Sequence, residues 1–420
     1  MVRPRFFVMH CHLFGAGGHP YTESLAWRRI CRERDIDLDI FAGLWADDQV
    51  LADTGARPLF GPTAEIVARF AGLEDASAPV APELAALQDF MVVGFDTAKG
   101  CREAWAAAPE KPDVVIFPWA TAARLNGVAD WLADIEPAAR PRLVFNILRP
   151  EPSWRIDDDR REVSGDFSWF LFACRRLRGL ARPNGLVFTA VEPRLSRLVS
   201  RLGGVDCRAA PLHKFYPTEA ELAALRPHAR PASVNIGALG SSHTSEKGWD
   251  MLPEIMGRVC AARPDAAFFA QVEDRAHGEA LSATLHAAGA PVRVTLQPGP
   301  LSTEDYFRRF LVSDLVLQPY DSPVYALMPS GVFADAVVCG TPVVAPAGTW
   351  ISDRLDDGWG AGVTFAPPTA AAIAEATVQA IDRLEALRAK AAGQGEAWRK
   401  AHSLDAYVDH IIARLDLDGA

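Results

Sequence analysis

The sequence predicts an α/β protein of two doubly wound, Rossmann-like domains facing a central cleft. Short apolar runs rich in Val, Ile and Phe recur along the chain, each followed by a helical pattern before the next. That alternation is the signature of βα units and a parallel sheet. The rhythm runs twice, and the proline-rich stretch Pro211–Pro231 separates the two series. A length of 420 residues also exceeds what one ordinary core organises.

In the first series, Phe6–His10 reads as a strand, followed by the loop Gly15–Pro20 and a helix over about 21–34. Asp37–Phe41 is the second strand, and a long alanine-rich helical region follows it. Asp113–Phe117, Arg142–Ile147 and Asn184–Thr189 then read as buried parallel strands. The second series holds Ser233–Leu239, a helix over about 248–262, Ala267–Ala270, Val292–Leu296, Asp314–Leu317 and a strand at 343–345. The tail, about 368–415, is nearly all helical. The expected domains are therefore 1–215 and 233–390, joined by a linker at 216–232, with a C-terminal helix in 391–420 returning to the first domain.

Hydrophobic residues make up 49% and charged residues 23%, the balance of a soluble globular chain. A net charge of -10 argues against a nucleic-acid partner, which would require a basic footprint. The apolar run near the N-terminus is too short for a signal peptide, and no stretch is long enough to span a bilayer. Seven cysteines, an odd number without C-x-x-C spacing, suit a reducing compartment. The expected location is cytoplasmic.

The most informative stretch is 327–346, read as a loop, a short helix, a glycine turn and a buried strand. Pro329 breaks the chain, and Ser330-Gly331 opens a helix whose first amides can face an anion. Asp335 lies four to five residues into that helix, where a carboxylate could reach a ribose. Gly340 ends the helix, Pro342 prevents its continuation, and Val343-Val344 enters a sheet. The combination suits a nucleotide-sugar.

A second loop, Gly240–Gly248, includes Ser241 and places Lys247 at a helix start, where a cation is unfavourable without an anionic partner. Gly17 and Gly18 follow the first strand at a position where backbone amides commonly meet phosphate or substrate. This loop breaks the dinucleotide fingerprint at Pro20, although Asp37 and Asp39 lie near where a ribose-binding acid would fall. Tyr320 and Tyr325 either line a donor pocket or pack their loop. His10-Cys11-His12 invites a metal reading, but on a strand Cys11 would face away from the two histidines, so a structural role is expected. Asp157–Asp159 sits among arginines and reads as solvated loop rather than metal site.

The second half resembles the retaining GT-B glycosyltransferases of family four. The resemblance rests on Ile236–Leu239 with Glu246-Lys247-Gly248, then Asp335-Ala336 with Cys339–Val344, and covers about 233–380 well. It implies a GT-B fold, a nucleotide-diphosphate-sugar donor held by the second domain, an acceptor held by the first, and no catalytic metal or other cofactor. It places the diphosphate on Lys247, the ribose on Asp335 and the phosphate-capping amides on Ser330 and Gly331. The loop residues Gly17, Gly18, Gly240, Ser241, Tyr320 and Pro329 are expected to complete the donor site, and His19 and Trp119 to meet the acceptor. Lys247 and Arg149 are the candidate catalytic residues. The chain departs from the family pattern at Ala238, usually arginine, and at Leu327, usually glutamate.

The implied reaction is hexose transfer, with retention, to a polysaccharide, glycolipid or other glycan acceptor. Weak peripheral membrane association is compatible with such an acceptor. The departing phosphate would take the acceptor proton, so no glycosidase-like carboxylate pair is needed. Three alternatives stand beside it: a GT-B-fold sugar-nucleotide epimerase, a non-catalytic nucleotide-sugar-binding protein, and an NAD-dependent Rossmann oxidoreductase.

Overall fold

The computed structural model describes residues 3–16, 18–61, 82–151, 154–156, 163–227, 233–240, 245–287 and 292–415. The chain divides into two compact units, one from 1–154, 164–215 and 404–420, the other from 155–163 and 216–403.

The first unit is a parallel sheet of seven strands. They are β1 (Arg5–Met9), β2 (Asp37–Gly43), β3 (Arg57–Phe60), β4 (Val114–Phe117), β5 (Arg142–Ile147) and, after a two-stranded ribbon of β6 (Trp154–Ile156) and β7 (Val163–Gly165), β8 (Leu186–Ala190) and β9 (Cys207–Ala209). The order across the sheet is β3-β2-β1-β4-β5-β8-β9. The chain therefore winds outward in one direction from β1 and in the other from β4. The register is Phe6 opposite Leu38 on one side and opposite Val114 on the other. Every residue of β4 is buried, as its unbroken Val-Val-Ile-Phe run requires of a strand covered on both faces.

The second unit repeats the plan with six strands: β10 (Val234–Ala238), β11 (Ala266–Val272), β12 (Val294–Pro298), β13 (Leu315–Leu317), β14 (Val343–Pro346) and β15 (Gly362–Phe365). They lie in the order β12-β11-β10-β13-β14-β15, again all parallel. Its core gathers Ile236, Ile255, Phe268, Val344 and Ile373.

Several elements differ from the sequence reading. β1 stops at Met9, and His10 lies in a turn closed by Leu13 N donating to His10 O at 2.9 Å. His10 and His12 therefore do not share a strand face. β3, β9 and β15 were not expected; β3 carries Pro58, tolerated because it is an edge strand. The helix Glu219–Leu225, opened by a Thr218/Glu221 capping box, belongs to the second unit. The helix Gln394–Ala401 also stays there, its Trp398 Nε1 donating to Tyr216 Oη at 3.1 Å. The last helix, Leu404–Leu415, returns to the first unit, where Leu404, Tyr407, Val408 and Ile411 join a core with Phe6, Val8 and Trp27. The run Asp157–Asp159 lies outside the described residues.

Candidate active site

In an open parallel sheet the loops beyond the strand carboxyl ends part where the winding direction reverses, and ligands bind there. Each unit has one such point, at β1/β4 in the first and β10/β13 in the second.

At β10/β13, the loop after β10 carries Gly240 and Lys247, while the chain after β13 leads to the helix Gly331–Cys339. The loops are tied together by Asp321 N donating to Glu246 O at 2.8 Å. Gly248 is packed so closely that a Cβ would stand 2.0 Å from Pro319 O, and its φ is +67°. At Gly240 a Cβ would lie 3.0 Å from Val332 Cγ2 and 3.5 Å from Lys247 Nζ. The Lys247 ammonium therefore sits beside a bare backbone position, at the first turn of the helix. Burial lowers that ammonium from 10.5 to about 8, against a raising influence of Glu246.

The other residues expected here divide. Ser330 is buried, and its Oγ accepts from Phe333 N at 3.1 Å and from Gln318 Nε2 at 3.3 Å, so the hydroxyl serves as helix cap. Pro329 and Gly331 are half-buried beside it. Tyr320 is 3% exposed and stacks on Tyr325 with ring centroids 4.3 Å apart, so its ring packs the loop. Asp335 is fully buried, and Tyr306 Oη donates to its Oδ2 at 2.9 Å. The structure turns this carboxylate into the unit's interior rather than toward a ribose. Ser241 and Gly17 lie outside the described residues.

At β1/β4 the first unit collects titratable side chains. Glu23, on the helix Gly18–Glu33, is 1% exposed. Its Oε1 accepts from Trp27 Nε1 at 3.1 Å, while His10 Nε2 lies 3.3 Å from Oε2. His19 Nε2 lies 3.4 Å and His213 Nε2 3.8 Å from the same oxygen. Burial raises the Glu23 carboxyl, but the imidazoles, His213 and His10 first, outweigh it and hold the group at about 2. Burial keeps His19 neutral, lowering it to about 3, and lowers His213 as well.

Beside this cluster is an aromatic platform. The Trp119 ring, just beyond β4, has the His12 ring 4.3 Å from it and the Arg149 guanidinium at 5.6 Å. Glu151, beyond β5, accepts from Ala122 N at 2.7 Å, and burial raises its carboxyl to about 7. The structure thus brings Trp119 and Arg149 together, and places Gly18 and His19 on the neighbouring helix start. Sequence reading missed Glu23, His213 and Glu151. The i, i+4 spacing of His19 and Glu23 was an available signal; for His213, 190 residues from Glu23 in sequence, none existed.

Two parallel α/β units with ligand-ready loops at their switch points define a fold of the GT-B class. The fold is similar, over nearly the whole chain, to that of several solved proteins. Anabaena HepE in complex with UDP and glucose matches with TM-score 0.62 and 13% identity, over 99% of this chain and 100% of that one. S. aureus TarM, solved with fondaparinux, α-GlcNAc-glycerol and UDP, matches with TM-score 0.64 and 10% identity, over 98% and 99%. A putative UDP-N-acetylglucosamine 2-epimerase from Listeria monocytogenes matches with TM-score 0.57 and 13% identity, over 100% and 98%. No protein-family model matches the sequence, and no curated protein does.

Proposed function

We propose that the protein is a cytoplasmic glycosyltransferase. It moves a hexose from a nucleotide-diphosphate-sugar to a polysaccharide, glycolipid or other glycan acceptor, with retention and without a metal. The observation that carries this reading is the β10/β13 site, where Lys247 lies beside Gly240 at the start of the helix Gly331–Cys339. An ammonium and helix-start amides there suit a diphosphate, and both would stabilise the charge that develops as the glycosidic bond breaks. The likeness to HepE and TarM, each solved with UDP, supports the same donor class. Asp335, which faces Tyr306, is left out of this donor site. Arg149, His19 and Trp119 would meet the sugars on the first unit.

Calorimetry with UDP, GDP and ADP, followed by turnover of the matching nucleotide-sugars, tests this. One diphosphate should bind, and Lys247→Ala should weaken it about 10- to 100-fold, the worth of a charge-assisted contact. No binding at millimolar nucleotide sinks the reading.

A second reading, a sugar-nucleotide epimerase, is favoured by one observation. The His10, His19, His213 and Glu23 cluster gives the first unit the acid and base groups such chemistry requires. Product analysis separates the two: an epimerised sugar without any transfer product would establish the second.

A further inference from the structure

Among the described residues, seven large apolar side chains are exposed, and five of them gather on two helices of the first unit. Met91, Val92 and Phe95 lie on the helix Pro82–Ala107, and Leu171 and Phe172 on the helix Ser168–Leu180. Phe95 is 70% exposed, an unusual position for so large an apolar side chain. The two helices meet where the Phe90 and Trp169 rings lie 4.6 Å apart. They are also linked through the helix Ala122–Ala133, which contacts both. A Cβ on Gly94 would stand 3.5 Å from Asn126 Nδ2, so Phe95 leaves its helix next to that contact. Arg176 Nη1 donates to Asn126 Oδ1 at 2.5 Å, and its guanidinium lies 5.6 Å from the Phe172 ring. The five side chains therefore form one face rather than two separate spots.

The uncompensated charge around this face has one sign. The helix Ser168–Leu180 carries Arg175, Arg176 and Arg178 and no acid. Arg176 is held by Asp130 at 2.6 Å, but Arg175 and Arg178 are exposed and form no ion pair among the described residues. The neighbouring carboxylates are engaged: Asp166 Oδ1 accepts from Ser168 N at 2.8 Å, Asp96 Oδ1 from Gly61 N at 2.7 Å, and Glu103 lies 3.8 Å from Lys99. Both helices repeat one order, an apolar residue and then a cation one turn later: Phe95 before Lys99, Leu171 before Arg175. Crossover helices run antiparallel to the parallel strands they join. The apolar residues sit in the first half or at the middle of each helix, and so toward the strand carboxyl ends, the edge that also holds Trp119 and Arg149.

We propose that this face seats the protein on an anionic lipid bilayer. Phe95, Phe172 and their apolar neighbours enter the headgroup boundary, while Arg175 and Arg178 meet lipid phosphates one turn away. The chain as a whole carries a net charge of -10, which such a surface repels elsewhere, so the face also fixes orientation. A second copy of the chain is a poorer occupant, because it brings the same unpaired arginines to the contact and no acid to meet them. The attachment rests on the transferase reading only in what it delivers: it sets the carboxyl edge of the first sheet beside the bilayer and selects a lipid-linked glycan among the acceptors.

Co-sedimentation of the full chain with vesicles tests it, using phosphatidylcholine alone and phosphatidylcholine mixed in equal parts with phosphatidylglycerol. The protein should bind the mixed vesicles, bind the neutral ones at least about tenfold more weakly, and lose affinity as salt is raised. Phe95→Gln combined with Phe172→Gln should weaken binding to mixed vesicles about tenfold or more. Arg175→Gln combined with Arg178→Gln should weaken it about 10- to 30-fold and leave the neutral vesicles unchanged. Thermal unfolding of both double variants should match the parent, since the altered side chains are exposed. No sedimentation with mixed vesicles, equal affinity for the two compositions, unchanged binding by either double variant, or a dimer in solution that Phe95→Gln disperses overturns the proposal. UDP calorimetry reports the second unit separately. UDP binding without vesicle binding removes the membrane face alone, whereas vesicle binding without UDP binding keeps the face and removes the transferase reading.

Discussion

The two units share a plan and differ in what they place at the same topological point. At β10/β13 the second unit offers backbone, glycines and one lysine. At β1/β4 the first unit offers three histidines, a carboxylate and an aromatic platform. On the proposed function, the difference follows from what each unit would recognise. A diphosphate is a fixed charge that amides and an ammonium can hold at any neutral pH. Sugar hydroxyls carry no charge, so reading them requires donors and acceptors whose proton positions are set by neighbours. One site is defined by geometry of the chain, the other by protonation.

The largest effect should come from breaking the geometric site. Gly248→Val places a side chain on Pro319 O at a left-handed backbone position. It should cost about 3 kcal/mol or more in urea unfolding and abolish UDP binding. Next is the charge on Lys247. Its folded value is lowered to about 8, so the ammonium is lost as pH rises through that value unless an anion holds it. UDP affinity should be flat from pH 6 to 7 and decline above about 8; a flat profile to pH 10 would show that the lysine does not carry the diphosphate.

Tyr306→Phe, which removes the hydroxyl on Asp335, should cost about 1–3 kcal/mol of stability and change UDP affinity less than about threefold. Asp335→Asn should likewise spare UDP. A tenfold loss there would return Asp335 to the ribose. The protonation site should show itself in acid. His19 and His213 have folded values below the usual 6.5, and Glu23 is held at about 2. In each case the unfolded chain binds the proton more tightly. Their contribution is complete above about pH 6.5 and declines as the histidines, and then below about pH 4.5 Glu23, take up protons. Urea unfolding should therefore show stability falling as pH drops below about 6.5. Hydrogen exchange at pH 7.5 and 5.0 should show β1 and β4 losing protection before β10 and β13.

The sheets were legible because buried parallel strands must be continuously apolar, as Val114–Phe117 and Arg142–Ile147 are. Edge strands carry no such requirement, and β3 with its proline was missed. Lys247 does not stand at the helix start expected for it: it closes the turn Ser245–Lys247, and the α-helix that follows begins at Leu252. The helix start at Ser330-Gly331 was legible because it is a local signal, a cap residue after a proline. The direction of Asp335 was not. The helix Gly331–Cys339 is buried on every side, so position along it fixes distance from its start but not which neighbour a side chain meets. The place of His213 was illegible for another reason: the fold brings it to Glu23, a position the chain itself keeps 190 residues away.

The closing helix, Leu404–Leu415, has a consequence for the order of assembly during synthesis. It supplies core side chains to the first unit, yet the ribosome makes it only after the whole stretch 216–403. At ordinary elongation rates the opening unit therefore waits on the order of tens of seconds for the core side chains Leu404, Tyr407, Val408 and Ile411, while the later unit can fold ahead of it.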